Sequence, residues 1–127
     1  MSRRILVTGG SRGIGAAVCR AFADLGDHVA VHCSSSRDLA DAVVASLRGS
    51  GHVVVQADLR DADQVRAMVD AAAASLGGLD VLVNNAGVFF PHPIDEVSYE
   101  DWQEAWASTL SVNLVGAANV TWCAVRH

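Results

Sequence analysis

Gly9, Gly13 and Gly15 sit in the stretch Thr8-Gly9-Gly10-Ser11-Arg12-Gly13-Ile14-Gly15, with the spacing T-G-x-x-x-G-x-G. Ile5-Leu6-Val7 before it reads as a buried strand. Ile14, Val18, Ala21, Phe22 and Leu25 after it recur at helical spacing. A strand, a glycine turn and a helix start form a phosphate cradle, because free N–H groups and the helix dipole meet at the turn. Glycine lets a pyrophosphate approach the backbone with no Cβ in the way. Gly9, Ser11, Arg12, Gly13, Ile14 and Gly15 are therefore candidate contacts to such a ligand. The spacing is neither G-x-G-x-x-G nor the phosphate loop that ends in Gly-Lys-Ser/Thr.

Three more sites carry polar groups where a strand ends or a helix should be apolar. Asp58-Leu59 follows the apolar run Val53–Ala57, Asn84-Asn85-Ala86-Gly87 follows Leu79–Val83, and Asn113 lies within Ser111-Val112-Asn113-Leu114. With the glycine turn, these four motifs in this order resemble the short-chain dehydrogenase/reductase family, and they span essentially the whole chain. The resemblance implies that Asp58 and Leu59 meet an adenine ring. It implies that Asn85, Ala86 and Gly87 border the cofactor while the Asn84–Gly87 segment ties the sheet together. It also implies that Asn113, the one catalytic candidate here, helps hold a water in a proton relay. Bland readings stand beside these: Asp58 as a cap for nearby N–H groups, and Asn113 as an asparagine satisfied by backbone.

Charge bears on the choice of cofactor. An acid at the end of the second strand would bind a ribose diol and repel a 2′-phosphate. Here His32-Cys33-Ser34-Ser35-Ser36 occupies that place, with no acid before Asp38. Ser34 and Ser35 become candidate contacts, and Arg12 can aim a guanidinium fork into the same region. Arg37 is close in sequence, as a second cation or as a solvated first-turn residue. In the family an arginine at the Arg12 position goes with NADP, so NADP is favoured over NAD.

The elements that position these residues alternate. A helix is expected from about Gly13 to Leu25 with Gly26 as a left-handed cap, then a strand Val29–Cys33. Ser36 is placed to cap a helix running from Arg37 to about Leu47. Asp61 caps a third helix with Val65, Met68, Val69, Ala72 and Leu76 on its apolar face, and Gly77-Gly78 ends it. Ser98 with Asp101 opens a long helix with Trp102, Trp106, Leu110, Asn113, Ala117 and Val120 along one stripe. Strand–helix alternation predicts an α/β fold: a Rossmann-type doubly wound parallel sheet, incomplete, with four strands in the order 3-2-1-4 and flanking helices. Residues 1–127 are read as one cofactor-binding domain, cut before a fifth strand.

Composition narrows the class. The chain has 127 residues, 51% of them hydrophobic, and a net charge of −5, which argues against nucleic acid as a partner. No apolar run reaches a membrane span, and no signal peptide is expected ahead of the first strand. Cys19, Cys33 and Cys123 lack metal or disulfide spacing and read as reduced thiols in a cytoplasmic protein, with no metal site. All nine basic residues are arginine. The family's chemistry uses a serine after a fifth strand and a Y-x-x-x-K pair; with no lysine and only Tyr99, that pair is not within these residues. The resemblance, which extends to 3-oxoacyl-carrier-protein reductase-like members, implies an oxidoreductase passing hydride between NADP and a small carbonyl or alcohol, a homo-oligomer in complete form. The 127 residues alone are expected to bind cofactor without turnover. The alternative is a non-catalytic nucleotide-binding or regulatory fragment. An extended-branch epimerase is disfavoured, since that branch uses T-G-x-x-G-x-x-G. Phe89, Phe90 and His92 either border a substrate pocket or cover the sheet edge.

Overall fold

A computed structural model describes residues 1–127. The chain runs β1 (Arg4–Val7), α1 (Gly13–Asp24), β2 (His28–Cys33), α2 (Arg37–Ser46), β3 (Val53–Gln56), α3 (Ala62–Leu76) and β4 (Val81–Val83). A last helical stretch comprises α4 (Tyr99–Leu110), a π-helical turn over Ser111–Gly116, and α5 (Ala117–Ala124). The strands form one parallel sheet in the order β3-β2-β1-β4, as the alternation predicts. β4 is shorter than the apolar run suggests. Asp80 N–H donates to the Arg4 carbonyl just before the strand begins.

Period-two alternation sends β1 side chains to opposite faces of the sheet. Ile5 and Val7 join Val29, Val31, Cys19, Ala23 and Val43 under α1 and α2. Leu6 joins Ala30, Val55, Val65, Met68, Val69 and Val120 under α3 and α5. β1 and β2 are therefore buried on both sides, which explains their unbroken apolar sequences. β4 lies at the sheet edge with Val81, Leu82 and Val83 only half-buried.

Caps fix the helix ends. Asp61 accepts from the N–H groups of Asp63 and Gln64, and Ser98 Oγ accepts from Asp101 N–H. Gly26 and Gly77 take positive φ at the ends of α1 and α3. Ser36 occupies the cap position of α2 but makes no side-chain bond there, contrary to expectation.

Two apolar faces differ from their sequence patterns. On α1 the buried residues are Gly15, Ala16, Cys19 and Ala23, while Ile14 and Leu25 are exposed. Small residues let this helix lie close to the sheet. On the last helical stretch, Trp106 and Leu110 are exposed, Asn113 is exposed, and the inward residues are Ala105, Gly116, Val120, Cys123 and Ala124. The π-helical turn lies between the two segments: an i→i+5 turn holds one more residue than an i→i+4 turn, so the stripe of α4 does not continue in register into α5. A Cβ on Gly116 would stand 2.8 Å from the Leu59 carbonyl oxygen, so only glycine lets the turn seat there.

Candidate functional site

Strand order reverses direction between β1 and β4, and a crevice opens beyond the carboxyl ends of strands at such a switch. A cavity of about 640 Å³ lies there. One wall is the glycine turn. Gly9 has φ +63°, and a Cβ on Gly15 would overlap the Gly9 carbonyl oxygen and come within 2.6 Å of Asn85 Nδ2. Gly13 also has positive φ, at +57°, but it is exposed and does not line the cavity. Ser11, Arg12, exposed Ile14 and Gly15 do line it.

The Asn84–Gly87 segment is strapped to that turn. Thr8 is 1% exposed, and its Oγ1 accepts from the N–H groups of Asn85 and Ala86, both at 3.0 Å. Asn85 Nδ2 donates to the carbonyls of Thr8 and Gly9 at 3.0 and 3.1 Å. Asn84 turns away and donates to Thr121 Oγ1 at 2.9 Å. Asn85, Ala86 and Gly87 thus form the second wall, joined by Val88 and Phe90 from the following loop.

The third wall combines the ends of β2 and β3. Ser34 and Ser35 are exposed at the rim, and Asp58 and Leu59 lie across from them. Asp58 is already engaged: Arg60 donates to its carboxylate from the backbone N–H at 3.0 Å and from the guanidinium at 2.9–3.2 Å. Hydrogen bonds from Arg60 hold that carboxyl below its ordinary pKa. Both residues line the cavity, so their charges offset one another there. Arg12 also lines it and takes part in no ion pair. Arg37 instead pairs with Asp41 at 3.5 Å and is not part of the wall. The cavity's uncompensated charge is therefore the Arg12 guanidinium.

Asn113 is not in the wall, although its neighbour Val112 is. Its side chain forms a closed pair of bonds with Val88. Oδ1 accepts from Val88 N–H and Nδ2 donates to Val88 O, each at 2.8 Å. Sequence reasoning gave no role to Thr8, Arg60 or His32, all near the cavity. Thr8 carried a signal, since it precedes Gly9 in the motif; His32 and Arg60 had none beyond their residue type.

Close backbone approach at Gly9 and Gly15 and a helix N-terminus fit the pyrophosphate of an adenine dinucleotide, and the Arg12 guanidinium lines the same cavity. Fold and site together define a Rossmann-like α/β unit. The chain belongs to the short-chain dehydrogenase family, whose model matches residues 3–127. It is 42% identical over 124 residues to an uncharacterized oxidoreductase of Methylorubrum extorquens, covering 96% of this chain and 48% of that protein. It is 36% identical over 121 residues to the 3-oxoacyl-[acyl-carrier-protein] reductase of Staphylococcus aureus, covering 94% and 48%. A short-chain dehydrogenase from Burkholderia cenocepacia, solved in complex with NADP, superposes with a TM-score of 0.84 at 41% identity, covering 98% of this chain and 50% of that one. A blue fluorescent protein from a metagenomic library, solved with NADPH, gives 0.81 at 38% identity, covering 96% and 49%. The chain spans about half the length of these relatives.

Proposed function

We propose that these residues supply the NADP-binding half of a short-chain oxidoreductase that acts on a small carbonyl or alcohol. The observation that carries this reading is the free Arg12 guanidinium in a cavity whose rim, Ser34-Ser35-Ser36, holds no acid. When bound, the cofactor supplies the hydride acceptor or donor for alcohol and carbonyl interconversion. The glycine turn takes the pyrophosphate, and Arg12 with Ser34 and Ser35 takes the 2′-phosphate. Asp58, held ionised by Arg60, accepts from the adenine amino group beside Leu59. Asn85, Ala86 and Gly87 bound the path toward the nicotinamide.

Asn113 acts in turnover by fixing Val88, and so the loop beside the reacting end, while it helps position a relay water. The acid–base group for the reaction is not among these residues, which include no lysine. The 127-residue polypeptide by itself is therefore proposed to bind nucleotide without turning over. The complete protein is proposed to be a cytoplasmic homo-oligomer. No helix here is long and apolar enough to cross a membrane. Calorimetric titration with adenosine 2′,5′-bisphosphate and with AMP tests the reading. Tighter binding of the bisphosphate supports it; equal binding, or none of either, overturns it.

A further inference from the structure

His32 is 1% exposed at the end of β2, and no step of the proposed chemistry uses it. Its ring spans two walls of the cavity. Nδ1 accepts from Gly9 N–H at 3.0 Å, and Nε2 lies 3.0 Å from the Ala57 carbonyl oxygen. An amide N–H cannot accept and a carbonyl cannot donate, so the two partners select the neutral tautomer with its proton on Nε2. The His32 carbonyl also accepts from Gly10 N–H at 2.9 Å. One residue thus holds the glycine turn twice and ties it to the end of β3, next to Asp58.

We propose that His32 is a positioning residue for the dinucleotide: its neutral ring sets the Gly9 peptide and keeps the phosphate and adenine ends of the cavity in register. The proposal rests on reading that cavity as the NADP site. The titratable side chains that line the same cavity are Arg12 from the turn, Cys33 from β2, and Asp58 with Arg60 beyond β3. None of them bonds to it, and Asp58 is committed to Arg60. Protonation would set an N–H on Nδ1 against Gly9 N–H with no carboxylate to receive it. Burial accordingly keeps the imidazole neutral below the usual histidine range. Acid should loosen the turn and weaken nucleotide binding, and bound NADP should in return favour the neutral ring.

The test is titration with NADP from pH 8 down to about 4.5, far enough to protonate a ring whose pKa burial has lowered, for wild type, His32→Asn and His32→Gln. An asparagine amide oxygen can take the place of Nδ1 and does not titrate. A glutamine amide reaches Ala57 but leaves Gly9 N–H unpaired. The ligand's own 2′-phosphate titrates near pH ~6, so only the difference between wild type and His32→Asn reports His32. Wild type should lose roughly five- to tenfold more affinity toward acid than His32→Asn, the scale of one hydrogen bond. His32→Gln should bind more weakly throughout.

Equal slopes, or wild-type binding that strengthens in acid relative to His32→Asn, would overturn the proposal; the latter is what simple attraction of phosphate to a charged ring gives. The Gly9 amide resonance of the nucleotide-free wild type provides a second readout. It should follow the His32 titration, and indifference overturns the proposal whatever the variants do. If Gly9 follows His32 yet NADP binds nowhere in the pH range, the cofactor reading fails and takes the proposed role with it. If NADP binds and the slopes coincide, only the role of His32 fails.

Discussion

Asn113 and Val88 are joined at both ends of one side-chain amide, Oδ1 accepting and Nδ2 donating across 2.8 Å each. The pairing imitates a strand rung between a π-helical turn and the loop that leaves β4. It satisfies both ends of an amide that a regular apolar stripe would leave unpaired. It also fixes a loop in which Val88 and Phe90 line the cavity.

Asn113→Ala should lower stability by about 1–3 kcal/mol, the scale of two net hydrogen bonds. In a complete enzyme it should reduce turnover more than nucleotide affinity. Asn113→Asp is more telling. A carboxylate accepts from Val88 N–H but repels Val88 O, whereas its protonated form can donate. The variant should therefore be less stable than wild type at pH 7 and recover part of the difference near pH 4. Denaturant midpoints at both pH values check this.

Gly15 and Gly13 should respond differently to alanine. At Gly15 the added Cβ would collide with the Gly9 carbonyl and the Asn85 amide, both held in the Thr8 network. Gly15→Ala should cost about 1–3 kcal/mol or more and abolish nucleotide binding. At Gly13 nothing lies within 4 Å of the new Cβ, so only the left-handed backbone resists it. Gly13→Ala should cost about 1–2 kcal/mol and leave Asn85 in place. Thermal melts of the two variants, with the Asn85 side-chain amide signals, separate these outcomes.

Acid should attack the opposite end of the sheet. Arg3 grips Asp27, and Arg4 donates to Asp80 from its backbone N–H and its guanidinium. Hydrogen bonds from Arg4 lower Asp80 to about 2, and those from Arg3 lower Asp27. A carboxyl depressed in the fold contributes stability above its unfolded value of about 3.9, and that contribution is lost as pH falls toward the folded value. Stability should drop between about pH 4 and pH 2, with a shallower drop in Asp80→Asn. Urea midpoints across this range measure both slopes.

Much of the fold was legible because local signals agreed. The β1–turn–α1 unit combines an apolar run, three spaced glycines and a helical period. Asp61, Ser98, Gly26 and Gly77 mark helix ends by their own chemistry. Strand order followed from alternation. The misses lie where tertiary fit overrides local pattern. The π-helical turn, where Gly116 meets Leu59, is something no period reveals, and Trp106 and Leu110 are exposed rather than on a buried stripe. Arg37, open in the sequence between a second cation and a solvated first-turn residue, is an exposed side chain paired with Asp41 one turn on, which fits the second. The His32 ring joins Gly9 to Ala57, neighbours only once three strands are assembled.

The central claim is that this cavity takes NADP and selects it through Arg12. Titrating wild type and Arg12→Ala with NADP and NAD tests it most directly. A charge-assisted contact is worth about 1.5–3 kcal/mol, so Arg12→Ala should lose roughly ten- to a hundredfold in NADP affinity while NAD affinity changes little. Equal wild-type affinity for the two nucleotides, or a loss in Arg12→Ala that falls on both alike, would contradict it.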